Sequence, residues 1–432
     1  MAQPLRIGLL GLGPVGSAVA RAILDKHDVL ERRIGVPLEL RRVLVQRRGI
    51  PRPVDESLIC YDAEAILGDP EIDLVVELLP GEEPAYEYVM RALRAGKHVV
   101  TGNKEVMAKH GPEILQLAAQ QGVDISFEAS VGGGIPVIGP FKLDLLANEI
   151  RRLRAIINGT TNYILTQMAA HGTAFEDALA DAQALGYAEA DPTKDVEGID
   201  AMFKLTILGS LAFHVRVRPE DVYHEGITQL APADFRYARE LGYAIKLLAI
   251  GEADASGVVL RVHPALLPET DMLAKVDGAF NAVSVEGDLV GPILFYGRGA
   301  GGGPTSSAVV ADIMDLAQRS LAGKVRLHPP IFEDGRGIRS MDEVETGYYL
   351  RLLVHDRPGV FAQITTVLGE AEISIASVIQ KENVTFVEPA AEYAEVVLMT
   401  HKTREAAMQR AVRAMGALPA VYKIGSLIRV EE

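Results

Sequence analysis

The chain has 432 residues, 48% of them hydrophobic, and a formal net charge of −15. That length allows two or three domains with proper cores, and the acidic balance argues against a nucleic-acid binder, which normally presents a basic face. The single cysteine, Cys60, excludes an internal disulfide and a cysteine-based metal cluster.

The first residues enter a strand-like run with no charged n-region or long apolar core, and no run of 18 apolar residues occurs. Neither a signal peptide nor a membrane span is expected, so the chain reads as cytoplasmic. Leu5 to Leu10 is an apolar strand, Gly11-Leu12-Gly13-Pro14-Val15-Gly16 follows at once, and Ser17 to Leu24 reads as a helix. A glycine fingerprint alone is weak, but strand before and helix after make it a dinucleotide signal. Gly11 permits the tight turn, Gly13 lets backbone approach a pyrophosphate, and Gly16 lets helix and strand pack closely. Leu12 and Val15 join the same loop. The second strand, Leu38 to Val45, ends in Gln46-Arg47-Arg48, where an NAD site usually has an acid. Arg47 suits a 2′-phosphate and favours NADP, or else these arginines are solvated loop charge.

Strands at Ile72 to Leu78, His98 to Thr101 and Val123 to Glu128 alternate with helices at Pro84 to Ala95 and Val106 to Gln121. The alternation predicts an α/β, Rossmann-type parallel sheet, with ligands beyond the carboxyl ends of its strands. Lys104, in Thr-Gly-Asn-Lys, is placed at that edge by topology, or is a surface lysine at a helix start. Glu128-Ala-Ser-Val131-Gly-Gly133-Gly-Ile135-Pro offers one carboxylate and exposed carbonyls, a hard-cation set better suited to a monovalent ion. A glycine-rich hinge explains it equally well.

Composition changes after Pro136. A strand at Ile150 to Ile157, a polar turn Asn158-Gly-Thr160-Thr-Asn162 and a helix from Tyr163 to His171 come first. Gly186-Tyr187-Ala-Glu189-Ala-Asp-Pro-Thr-Lys-Asp-Val-Glu-Gly198 is a loop, and a helix then carries Asp200 and Lys204 on one face, four residues apart. On spacing alone that pair is a common helix-surface ion pair or a catalytic lysine with an acidic partner. Asp191, Lys194, Asp195 and Glu197 are expected to shape the loop. Asp234 to Ile250 reads as an amphipathic helix, Gly257 to His263 and Ala282 to Leu289 as strands. A second glycine-rich loop, Gly297 to Thr305, precedes a helix from Ser306 to Ala317; its backbone amides close over the cofactor, or it is a connector returning the chain to the first domain, and both can hold together. The last part reads βαββαβ, a ferredoxin-like order.

Gly11-x-Gly13-x-x-Gly16, Thr-Gly-Asn-Lys104, the Glu128 to Pro136 loop, Asn158-Gly-Thr-Thr-Asn-Tyr-Ile-Leu, Gly186-Tyr-Ala-Glu-Ala-Asp-Pro-Thr through Asp200-x-x-x-Lys204, and Gly297 to Thr305 occur in that order. Together they resemble homoserine dehydrogenase across residues 1–320. Asp356-Arg-Pro-Gly359-Val resembles the entry of an ACT domain. The first resemblance implies reversible NAD(P)H-dependent reduction of L-aspartate 4-semialdehyde to L-homoserine, in threonine, methionine and isoleucine biosynthesis. It implies Lys204 as proton donor and acceptor, Lys104 near cofactor and substrate, and Glu189 and Asp200 on the substrate, with Thr160 and Tyr187 beside them. Glu189, Gly186 and Gly301 join Arg47 and Lys104 at the cofactor, and Glu128, Val131, Gly133 and Ile135 form a sodium site. Where many members have Ala-Arg before the lysine, this chain has Met202-Phe203. The ACT resemblance implies feedback by L-threonine, or an oligomerisation domain without a live effector site. The expected organisation is a dinucleotide domain over 1–135 completed by the helix near 305–320, a substrate and dimerisation domain over 136–304, a linker over 321–347 and the ACT domain over 348–432, in a homodimer or homotetramer. Other amino-acid-linked oxidoreductases and a nucleotide-sensing regulator are the alternatives; the intact Asp200/Lys204 pair argues against the second.

Overall fold

The structure, a computed structural model, describes residues 3–321, 336–381 and 393–432. The linker expected over 321–347 falls largely outside those residues. The chain divides into two compact units, one of Met1–Leu153, Phe203–Asp221 and Asn281–Arg336, the other of Arg154–Met202, Val222–Phe280 and Gly337–Glu432.

The first unit opens with β1 (Leu5–Leu10), α1 (Pro14–Asp25), α2 (His27–Ile34), β2 (Leu38–Leu44), β3 (Ile59–Cys60) and α3 (Glu64–Leu67). β4 (Leu74–Glu77), α4 (Ala85–Arg94), β5 (His98–Thr101), α5 (Lys104–Gln121), β6 (Ile125–Ser126) and α6 (Ile138–Lys142) follow. The strands pair in parallel in the order β3-β2-β1-β4-β5-β6. They are apolar on both sides, as helices on both faces require: Ile7, Leu9 and Val76 on one face and Leu10 and Val75 on the other are fully buried. The order reverses between β1 and β4, the place where such sheets hold ligands. After a hairpin of β11 (Phe280–Gly287) and β12 (Gly291–Arg298), α12 (Gly302–Leu321) returns to this sheet. Its Val309, Ile313 and Leu316 share one core with Ile7, Val19 and Val76.

The second unit contains the end of β7 (Ile150–Ile156), α7 (Gly159–His171), α8 (Phe175–Ala184), α9 (Thr193–Val196) and the first turn of α10 (Ile199–Ala212). β8 (Tyr223–His224), α11 (Pro232–Glu240), β9 (Tyr243–Asp254) and β10 (Gly257–Pro268) follow. The helix expected from Asp234 to Ile250 therefore ends at Glu240. Gly242 takes φ 81°, and the apolar run beyond it pairs along its whole length with β10. A left-handed glycine stops the helix, and β-branched and aliphatic residues buried on both faces suit a central strand.

The C-terminal part comprises β13 (Glu345–His355), α13 (Val360–Glu370), β14 (Ile375–Lys381), β15 (Tyr393–Thr400), β16 (Thr403–Arg404), α14 (Glu405–Gly416) and β17 (Val421–Val430). Its main strands lie in the ferredoxin-like order β17-β13-β15-β14. β17 also pairs in parallel with β10 at Ala265↔Arg429 and Leu266↔Val430, so the second sheet is mixed and continuous across both parts.

Buried charge crosses that junction. Asp234, fully buried at the start of α11, accepts from Arg351 Nε (2.6 Å), Arg351 Nη2 (3.1 Å) and the Tyr349 hydroxyl (3.1 Å). Arg351 Nη1 also reaches Glu395 (3.1 Å), which accepts from the Tyr237 hydroxyl (2.7 Å). Arg261 of β10 pairs with Glu252 and Glu431, both at 2.8 Å. Among the described residues no helix is long and apolar enough to cross a membrane.

Candidate active site

A cleft of about 670 Å³ opens at the carboxyl ends of β1, β2 and β4, and Gly11, Leu12, Gly13, Gln46, Arg47 and Arg52 help to line it. Gly11 takes φ 99°, and a Cβ added at Gly16 would meet the Gly11 carbonyl oxygen at 2.2 Å, so both glycines are sterically required. At Gly13 nothing lies within 4 Å of an added Cβ. That open space stands against the N-terminus of α1, whose first-turn amides have no acceptor within the helix. The bare backbone, free helix end and cationic wall fit a dinucleotide. Arg52 stays close by donating to the Leu12 (3.4 Å) and Arg47 (3.3 Å) carbonyls. Arg48 stacks over Tyr61 at 4.4 Å and leaves Arg47 as the arginine of that triplet on the cleft wall.

At the end of β5, Asn103 caps α5 by accepting from the Glu105 and Val106 amides at 3.1 Å. Its own amide donates to the Leu79 (3.2 Å) and Gly81 (2.6 Å) carbonyls. This fixes Lys104 as the first residue of α5, two residues ahead of the start expected from periodicity. Beneath it Glu77 accepts from the Thr101 hydroxyl (2.6 Å) and the Leu79 amide (2.7 Å). Its partners are neutral, and burial pushes its carboxyl up to about 7.

The Glu128 loop is tighter than its composition suggests. The Glu128 carboxylate accepts three amides, from Val137 (2.6 Å), Ile138 (2.8 Å) and Gly139 (2.6 Å). The side chain is committed to capping α6, so any cation here would take backbone carbonyls. Its own amide donates to Asp312 (2.9 Å), whose carboxyl burial pushes up to about 7. Gly133 lies against the second glycine loop: an added Cβ would meet the Gly299 carbonyl oxygen at 2.4 Å. Gly301 takes φ 113° just before α12, and a Cβ added at Gly302 would meet the Pro14 carbonyl oxygen at 3.1 Å. Among the described residues no group of three or more His, Cys, Asp or Glu is arranged to hold a metal.

In the second unit Asn158, buried at the entry to α7, organises the central motif. Its amide donates to Asp195 (2.7 Å) and Asp200 (2.9 Å), while its oxygen caps Thr161 at 2.8 Å. Asp200 is 3% exposed, so it is no surface decoration. Thr160 donates to the Tyr187 carbonyl (2.6 Å), Tyr187 stacks on Tyr163 with ring centroids 4.9 Å apart, and Gln183 holds the Glu189 carbonyl (3.0 Å). Gly186 turns the chain at φ 75°. The structure thus gathers Thr160, Gly186, Tyr187, Glu189 and Asp200 around one loop, with Glu189 exposed. Lys204 follows Asp200 by one turn on α10 and is half-buried. Asp191 caps Thr193, so it and Asp195 do shape the loop. Asn158, Asn103 and Glu77 were not singled out from sequence. Their signal was present in Asn-Gly-Thr-Thr-Asn, in Thr-Gly-Asn-Lys, and in an acid inside an apolar strand.

Comparison with known proteins agrees with this geometry. Residues 136–314 match the family model for homoserine dehydrogenase, 11–128 that for the homoserine dehydrogenase NAD binding domain, and 348–419 the ACT domain. The chain is 42% identical to homoserine dehydrogenase of Neisseria gonorrhoeae, covering 99% of both chains. It resembles the crystal structure of a homoserine dehydrogenase from Thiobacillus denitrificans with TM-score 0.91 and 44% identity, over 100% of this chain and 99% of that one. A hyperthermophilic archaeal homoserine dehydrogenase in complex with NADPH aligns with TM-score 0.64 and 26% identity, over 76% of this chain and 100% of that one. A dinucleotide cleft, a buried Asp200 ahead of Lys204 and these full-length likenesses converge: the chain belongs to the homoserine dehydrogenase family of NAD(P)-dependent oxidoreductases.

Proposed function

We propose that this chain interconverts L-aspartate 4-semialdehyde and L-homoserine in threonine, methionine and isoleucine biosynthesis in the cytoplasm, with NADP(H) preferred over NAD(H). The observation that carries the reading is the buried Asp200, held by Asn158 at the head of the helix that presents Lys204. When bound, the nicotinamide supplies or accepts the hydride. Lys204, as an ammonium, stabilises the alkoxide that develops on the aldehyde oxygen and gives it a proton; in the oxidative direction the amine takes the hydroxyl proton. Glu189 and Asp200 suit the substrate ammonium, with Thr160 and Tyr187 completing its contacts, and Lys104 adds a second cation near cofactor and substrate. Arg47 on the cleft wall supports the 2′-phosphate preference. The carbonyls of Glu128, Val131, Gly133 and Ile135 are assigned to a sodium ion, since the Glu128 carboxylate is already spent on amides. L-Threonine is assigned to the ACT domain, in a homodimer or homotetramer.

The test is initial-rate kinetics with homoserine and each cofactor, with and without threonine. Lys204→Ala should lose about 10²- to 10⁴-fold in turnover while cofactor binding, followed by fluorescence, stays near wild type. Near-normal turnover in that variant would remove the proton-transfer assignment.

A further inference from the structure

The motif loop has a second anchor besides Asn158, and it comes from the C-terminal part. Arg429 of β17 is fully buried and clamped on two sides. Nη1 and Nη2 donate to Glu225 at 2.9 and 3.0 Å, and Nε and Nη2 to Glu405 at 2.7 and 2.6 Å. Each pairing is the two-pronged kind that fixes orientation as well as distance. Glu225 follows the two-residue strand β8, and the segment it begins lies flat on the turn that feeds α10. The Glu225 carbonyl oxygen would be 2.9 Å from a Cβ at Gly198, and a Cβ at Gly226 would meet the Val196 carbonyl oxygen at 2.4 Å. The Ile227 amide donates to Val196 (2.8 Å), and the Thr228 hydroxyl to Glu197 (3.3 Å). Two residues past Gly198 stands Asp200.

We propose that Glu225 and Arg429 are positioning residues for the substrate site: the buried guanidinium, gripping a Glu225 carboxylate that is one-third exposed, holds 225–228 against 196–198 and so fixes Asp200 and the first turn of α10. Burying a guanidinium where an apolar side chain would fit costs desolvation free energy and contributes direction instead. This inference rests on the substrate role proposed for the motif loop. The C-terminal domain thereby becomes part of the active site's scaffold through one guanidinium.

The test is steady-state kinetics on full-length Glu225→Gln and Arg429→Lys, with Arg351→Gln as control, because Arg351 joins the same two parts through a buried ion pair away from the motif loop. Lysine cannot reproduce a doubly bidentate guanidinium. Glu225→Gln and Arg429→Lys should lower kcat/KM for homoserine about tenfold or more, as small misplacements of reacting groups do, with KM for NADP⁺ unchanged. Arg351→Gln should lower Tm and leave homoserine KM unchanged. An equal homoserine defect in Arg351→Gln, or none in Glu225→Gln, overturns the proposal. If the charge variants do not fold, Gly226→Ala and Thr228→Val decide it: the same homoserine-selective defect supports it, unchanged kinetics sink it. Homoserine oxidation by the wild type is scored separately, since its absence would refute the activity and not the scaffold.

Discussion

Glu77 and Glu405 are both buried carboxylates, one in each unit, and they are handled in opposite ways. Glu77 at the end of β4 has hydroxyl and amide partners, and burial drives it up to about 7. Burial also pushes Glu405 up, but the Arg429 guanidinium, with Gln409 and Tyr348, brings it below the ordinary range. In the dinucleotide unit Glu77 is buried with no cation beside it, while Asp124 pairs with Arg319. The second unit sets Asp234, Glu405 and Glu431 against arginines of other elements. Apolar packing says that two surfaces meet; paired charges say in what register. A sheet built from consecutive βα units needs little of the second kind of information, whereas one assembled from strands far apart in sequence needs more.

The largest effect expected of this contrast is in Arg351→Gln, which leaves Asp234 buried without its guanidinium and Glu395 with only the largely exposed Arg236 at 3.6 Å. It should cost about 3–5 kcal/mol, read by urea unfolding. A loss below about 1 kcal/mol, the level of an exposed pair, would erase the contrast. Next comes pH. Between 4.5 and about 7 the folded chain holds a proton on Glu77 that the unfolded chain has released, so stability should fall as pH rises through that window and level off above it. The effect is on the order of 3 kcal/mol, and Glu77→Gln should remove that share of the slope and leave the share of Asp312, whose carboxyl is raised over an overlapping window. Glu405 has the opposite sign: its contribution is complete above 4.5 and lost as pH falls below it. Ile7→Val in the parallel sheet should cost only about 0.5–1.5 kcal/mol. Smallest in stability is Gly13→Ala, within about 0.5 kcal/mol because the added Cβ meets nothing. It should nonetheless raise KM for the cofactor, because that methyl enters the cleft.

The same contrast explains what could be read from sequence. The parallel sheet was legible because each of its signals is local: an apolar run, a glycine fingerprint, a capped helix. The α10 pair was legible as a pair, and its depth was not, because burial of Asp200 depends on Asn158 from another element. β9 escaped the sequence reading because Ala244 to Ile250 is apolar except for Lys246 and so shows no strand alternation; Gly242 was the overlooked stop signal. β12, half-exposed and ending in Gly297-Arg298, merged with the glycine loop in the sequence. Arg429, Arg351 and Arg261 gave no signal at all. An arginine in a strand near the end of a chain looks solvated until its partners, Glu225 or Asp234 or Glu252, are brought to it by the fold.

The place of β17 bears on how the chain is made. It follows every other described strand in the sequence, yet it sits between β10 and β13. The parallel sheet of the first unit draws β1 to β6 from consecutive sequence and can pair them as they emerge. β8 and β9 can pair with β10 early, but the stretch of its edge at Ala265 and Leu266 must wait for nearly all of the C-terminal segment before its partner exists. The nascent chain would thus carry a finished nucleotide cradle and an open hydrophobic edge together, and its hazard during synthesis is edge-to-edge association at β10.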